Sequence, residues 1–134
     1  MSAKLVFKIS GRFVKIEKIG AVPEGDRSNF HYRAEVEGEA IKGKLSGIDY
    51  SITDDKGVVH VNIMEVLTTD NDEKIFIQRK GRSVPAAESN SVVLRGEGNA
   101  CTSSLSLSWI NSKPVTWEAH LRRDSLDYTA EVYV

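Results

Sequence analysis

Residues 57–69, GVVHVNIMEVLTT, constrain the fold of this chain more than any other stretch. They follow a turn signal, Asp54-Asp55-Lys56-Gly57, and are apolar on both alternate sets of positions. As a strand, one face carries Val58, His60, Asn62, Met64 and Val66, and the other Val59, Val61, Ile63, Glu65 and Leu67. Only a strand covered on both sides tolerates that pattern. An imidazole and an amide interrupt the first face, so the expectation is that His60, Asn62 and Met64 point into a core where a ligand could use them.

The remaining segments agree with an all-β reading. Leu5, Phe7, Ile9 and Phe13 alternate with polar residues, with Gly11 as an expected bend and a change of parity between Ile16 and Ile19. Residues 20–28, with Pro23, Gly25 and Asp26, read as a loop. Phe30, Tyr32, Ala34 and Val36 alternate with His31, Arg33, Glu35 and Glu37 in a clear strand. Short strands follow at 40–46 and 49–53, broken at Gly47-Ile48, and another at 73–80. Residues 81–90 read as a loop able to overhang a barrel mouth. Strands are expected at 91–97 and over Leu105, Leu107 and Trp109. Residues 116–121 fit a strand or one helical turn, and a last strand runs from Tyr128 to the C-terminus. No segment holds helical periodicity over ten residues. Short strands between turn signals argue for an antiparallel barrel or sandwich.

A chain of 134 residues fits one domain, 1–134, with enough length to bury a core without a disulfide or metal staple. The formal charge of −1, from 18 basic and 19 acidic residues spread along the chain, offers no basic block for nucleic acid or an anionic membrane. Lys4 and Lys8 interrupt the N-terminal segment before a signal-peptide core can form, and no apolar run suits a membrane helix. The expectation is a cytoplasmic protein with no nucleic-acid or membrane partner.

His31, His60 and His120 show no ligand spacing, and the single Cys101 gives them no thiolate partner, so no metal site is expected. There is no G-x-S-x-G elbow for a catalytic triad, and Gly96-x-Gly98 lacks the third glycine and helix of a dinucleotide site, so no cofactor is expected. Cys101 after a turn is a bystander thiol or a nucleophile. An inward His60 would titrate near neutral pH, and an inward Asn62 could donate to a developing oxyanion; the plainer readings are cross-barrel hydrogen bonds or an outward face. Asp49, where a strand resumes after Gly47, is either a turn cap or an acid/base group. Tyr32 points inward with Phe30, and its hydroxyl needs a partner once buried. Trp109, at a strand end, either walls a pocket or closes the core.

The order GAVPEGDR (20–27), Val36-Glu37-Gly38, GKLSG (43–47), Asp49-Tyr50, Asp55-Lys56-Gly57-Val58, Thr69-Asp70, Trp109-Ile110-Asn111 and a closing EVYV (131–134) resembles the DUF3237 family. These are small bacterial and fungal proteins grouped with allene-oxide-cyclase-like barrels. The resemblance spans residue 20 to the C-terminus. It implies a closed antiparallel β-barrel of about eight strands with little or no helix. It also implies a pocket inside one end and frequent homodimers, and brings no settled reaction. Two departures stand out. Paired glycines of the family correspond to Gly38-Glu39 here, and an Asp and Arg two residues apart on the central strand correspond to Asn62 and Met64.

Together these readings give a barrel that binds a hydrophobic small molecule. Its expected site is His60 and Asp49 as proton-transfer residues, with Tyr32, Asn62, Met64 and Trp109 as ligand contacts. Any reaction would be acid/base or cyclase/isomerase-type and free of cofactors. The rival is a non-catalytic carrier, or a structural barrel packed shut. A homodimer is expected through Val59, Val61, Ile63 and Leu67, on the face opposite His60.

Overall fold

The period-two alternation of the sequence becomes eight antiparallel strands, each bonded to the next in chain order, with the eighth closing on the first. A computed structural model describes residues 4–88 and 90–134. Residues 1–3, part of the segment read against a signal peptide, and Ser89, within the expected loop at 81–90, lie outside the described residues. The strands are β1 (Leu5–Val22), β2 (Gly25–Gly38), β3 (Gly43–Thr53), β4 (Val59–Thr69), β5 (Lys74–Val84), β6 (Ser91–Thr102), β7 (Val115–Arg122) and β8 (Asp127–Tyr133). Closure leaves no sheet edge, so every strand finds a partner on both sides.

Several local expectations change in detail. Residues 20–28 are mostly a hairpin tip: Val22 pairs with Gly25 around a two-residue turn, Pro23-Glu24. Gly25 has φ 148°, and a Cβ there would lie 2.2 Å from the Thr53 carbonyl oxygen. β3 runs unbroken through Gly47-Ile48, β5 extends into the expected loop as far as Val84, and β6 starts at Ser91 as expected but runs on to Thr102. The strand expected over Leu105, Leu107 and Trp109 is instead a turn and a 3-10 helix, Ser108–Ser112. There the apolar residues alternate only because Leu107 and Ile110 drop into the core while Leu105 stays in solvent. β1 does bend by irregular pairing, between Phe13 and Lys15 and between Lys18 and Gly20, while Gly11 stays in register opposite Ala34 and Tyr128.

Up-and-down connection gives the barrel two unlike ends. The β2–β3, β4–β5 and β6–β7 connections and both termini gather at one end, and the 3-10 helix lies in the β6–β7 connection. That end is filled by Phe7, Ile41, Leu67, Ile75, Ile110 and Val115, all at most 1% exposed. The hairpins β1–β2, β3–β4, β5–β6 and β7–β8 surround the other end.

β4 corrects the central expectation about facing. Val61, Ile63, Glu65 and Leu67 are buried inside the barrel, with Val59 partly buried against the same core. His60, Asn62, Met64 and Val66 point outward. The physical reason is hydrocarbon content. The Val59 set carries four aliphatic residues and one acid, the His60 set two polar groups, and the barrel interior takes the more apolar set. Val59, Val61, Ile63 and Leu67 therefore face the barrel interior, and these residues supply no outer surface for a second copy.

Candidate functional site

Cross-strand registry stacks the interior into rows. One row reads Phe30, Asp49, Ile63 and Arg79 across β2 to β5. The next row towards the closed end reads Tyr32, Gly47, Glu65 and Ile77. Four ionisable side chains thus enter the middle of the barrel from four adjacent strands. Glu65 is 1% exposed, Arg79 1%, Tyr32 3% and Asp49 7%.

Burial of charge requires compensation, and Glu65 and Arg79 provide it for each other. Arg79 Nε donates to Glu65 Oε2 at 2.6 Å, and Nη2 donates to Oε1 at 2.9 Å, a bidentate pair. The Tyr32 hydroxyl donates to Glu65 Oε1. It reaches that oxygen across Gly47, where a Cβ would lie 2.8 Å from the Tyr32 oxygen and 2.6 Å from Glu65 Cβ. The Arg79 guanidinium also sits 4.9 Å from the centre of the Trp117 ring. Burial works against the Arg79 charge, but Glu65 outweighs it and keeps the guanidinium firmly protonated. Burial and the adjacent Glu65 push the Tyr32 phenol well above its ordinary value.

Above this floor lies a cavity of about 340 Å³ that opens among the four hairpins. The interior is therefore not packed shut. Val59, Val61, Ile63, Val92, Leu94 and Leu121 line its aliphatic side. An aromatic cluster lines the other: Phe13 stacks on Tyr128 with ring centres 5.6 Å apart and meets Phe30 at 5.1 Å, and Tyr32 meets Tyr128 edge-on at 5.3 Å. Asp26, Ser28, Ser51, Thr53 and Arg123 add polar groups.

Three polar atoms of the lining have no partner within the protein: Asp49 Oδ1, Arg79 Nη1 and the Tyr128 hydroxyl. Buried polar atoms are normally hydrogen-bonded, so these three leave hydrogen-bonding capacity unmet beside the cavity. Asp49 is the most altered of them in chemistry. Burial raises its carboxyl from 3.8 to about 7, with Glu65 adding to the rise and the Asn62 backbone N–H and Arg79 opposing it. A carboxyl at that value gives and takes protons near neutral pH.

The structure brings together only two of the six residues expected from sequence. Tyr32 and Asp49 line the cavity. His60 lies outside, half exposed, and its Nε2–H donates to Asp54 Oδ2 at 2.9 Å. Asn62 and Met64 share that outer face, and Trp109 sits in the 3-10 helix at the closed end, packed on the core. The departures from the family at Asn62 and Met64 therefore remove no group from the cavity. Glu65, Arg79 and Tyr128 went unnamed as site residues, although parity carried a signal for each. Arg79 continues the inward set of Ile75 and Ile77, Tyr128 that of Ala130 and Val132, and Glu65 is the one acid on the most apolar face of β4. Cys101 is exposed on β6. Among the described residues, no three His, Cys, Asp or Glu gather to hold a metal, and no helix is long and apolar enough to cross a membrane.

Comparison with solved structures shows the same fold elsewhere. A β-barrel-like protein from Acinetobacter baumannii superposes with a TM-score of 0.84 at 21% identity, over 98% of this chain and 94% of that one. A protein of unknown function from Clostridium acetobutylicum gives 0.88 at 19% identity, over 98% and 97%. A structure described as an enzyme from Penicillium herquei gives 0.71 at 12% identity, over 99% and 94%. No curated protein matches the sequence. The model of the family described as "Protein of unknown function (DUF3237)" matches residues 1–113, and the chain, with its closed eight-stranded barrel, belongs to that family.

Proposed function

We propose that the barrel binds an apolar small molecule in its cavity and that Asp49 transfers protons to and from it. The observation that carries this reading is the Asp49 carboxyl, held at about 7 in a cavity of aliphatic and aromatic side chains, with Oδ1 unpartnered. Such a group can act as base and then as acid in one cycle, which suits cyclisation or isomerisation by the side chains alone, with no cofactor. The cavity supplies orientation and exclusion of water. The likeness to the Penicillium herquei enzyme supports a catalytic reading through the fold only.

Filling the cavity tests the binding half. Ala119 lines the cavity and is buried, so Ala119→Phe places a ring inside it. Naphthalene binding, followed by tryptophan and ligand fluorescence, is expected in the wild type and lost in this variant, with the far-UV spectrum kept. Equal binding in both would place the ligand elsewhere and end this reading. A non-catalytic carrier shares the cavity but has no use for a titrating carboxyl. Asp49→Asn that abolishes turnover while keeping ligand affinity favours the catalyst, whereas unchanged turnover removes Asp49 from the chemistry.

Homodimerisation belongs to the same proposal, moved to a different surface. Val14, Met64, Val66 and Phe76 are apolar, more than a third exposed, and line one shallow groove on the outer wall. A second copy covering this groove would bury the exposed large apolar side chains of β4 and β5. Light scattering is expected to give a dimer that Phe76→Lys splits; a monomer at high concentration would remove the proposal.

A further inference from the structure

The three orphan atoms specify more than a binding site. Arg79 Nη1 and the Tyr128 hydroxyl are donors, and Asp49 Oδ1 accepts when ionised and donates when protonated. All three belong to residues at most 8% exposed that line one cavity. The Arg79 charge is already matched by Glu65 through two hydrogen bonds, and Asp49 is a second acid in the same space. Asp26 and Arg123, the other charged lining residues, are exposed to solvent, so at the buried seat a ligand carboxylate would bring a third acid to the one cation, Arg79, whereas a single uncharged oxygen adds none. Beside the donors stand the rings of Phe13, Phe30 and Tyr128, which favour a flat body.

We propose that the ligand is an uncharged, ring-containing carbonyl compound able to enolise, seated with its oxygen on Arg79 Nη1 and the Tyr128 hydroxyl. This rests on the proton-transfer reading above and names its substrate class. In the step itself, the Asp49 carboxylate removes a proton from the carbon beside the carbonyl. The C–H electron pair becomes the new C=C bond, and the C=O π pair moves onto oxygen, where the two donors stabilise the negative charge. Where the substrate is a β,γ-unsaturated carbonyl compound this enolate is a dienolate, and protonated Asp49 returns the proton to its γ-carbon while the C=O bond re-forms and the original C=C bond moves into conjugation with it. The product is an isomer of the substrate, and neither oxidant nor reductant is consumed. Asp49 at about 7 serves both halves near neutral pH.

Phenols are stable counterparts of enols, so 2-naphthol, naphthalene and 2-naphthoate test the seat by titration calorimetry at pH 7.5. In the wild type 2-naphthol is expected to bind about tenfold more tightly than naphthalene, the value of one or two buried hydrogen bonds. Tyr128→Phe removes only an oxygen without a protein partner. It should keep naphthalene affinity and lose most of the advantage of 2-naphthol. Equal affinity for naphthalene and 2-naphthol would overturn the seat while leaving the apolar cavity intact. Tighter binding of 2-naphthoate than of 2-naphthol would overturn it in favour of an anion receptor. Failure of all three probes to bind would overturn both this inference and the binding reading beneath it.

Discussion

Arg79 and Glu65 meet through two hydrogen bonds of 2.6 and 2.9 Å in the middle of the barrel, where neither side chain is more than 1% exposed. The pair divides the interior into a dry hydrocarbon plug at one end and a cavity at the other. Its worth lies in what a lone partner would suffer. Glu65→Leu leaves the guanidinium buried and unmatched and strands the Tyr32 hydroxyl, so a loss of about 3–5 kcal/mol is expected. Adding Arg79→Met should recover most of that loss, because two apolar side chains need no compensation. Urea denaturation of the singles and the double measures the coupling; strictly additive losses would show that the two residues act independently.

Asp49 should make stability depend on pH in the direction opposite to a salt-bridged carboxylate. Its folded value of about 7 exceeds the ordinary 3.8, so between those values the native state holds a proton that the unfolded chain has released. The contribution of Asp49 to stability is therefore greatest below about 4, falls as pH rises to about 7, and is level above it. The full difference is about 4 kcal/mol. Asp49→Asn removes this contribution, so the variant should gain on the wild type as pH rises from 5 to 8. Melting temperatures of both proteins across that range check the sign; a gap that stays constant would deny the raised value.

Gly47 is required by its neighbours and not by its backbone angles. A Cβ there would lie 2.6 Å from the Met64 carbonyl oxygen and from Glu65 Cβ, and 2.8 Å from the Tyr32 hydroxyl oxygen. Gly47→Ala is expected to cost about 1–3 kcal/mol through overpacking. Pairing it with Tyr32→Phe should relieve part of the crowding, so the double variant should be more stable than the sum of the singles predicts. Chemical denaturation with full additivity would show that Tyr32 does not cross this glycine.

The fold was largely legible because it rests on alternation. Phe30, Tyr32, Ala34 and Val36 declare both their strand and their inward face, and the residues flanking Gly57 and Asp72 mark hairpin ends. The site was legible only in part. Tyr32 and Asp49 follow from parity and position. On β4 the reading favoured the face with chemically useful groups, His60 and Asn62, over the face with more hydrocarbon, and the barrel takes the second. Arg79 stayed hidden because an arginine is the side chain least expected inside, and its partner, Glu65, is 14 residues away on another strand. The 3-10 helix was misread because Leu105, Leu107 and Trp109 mimic strand alternation over a stretch too short to separate the two periods.

The central claim is that a carboxyl in the cavity exchanges protons near neutral pH. Carbon-13 NMR of protein labelled at aspartate side-chain carboxyls, titrated from pH 4 to 9 with Asp49→Asn to assign the signal, tests it directly. The account expects the Asp49 resonance to move with a midpoint near 7, as its burial among apolar walls requires. A midpoint near 4 would mean that the cavity solvates the carboxylate as water does, and would contradict the proton-transfer role assigned to Asp49.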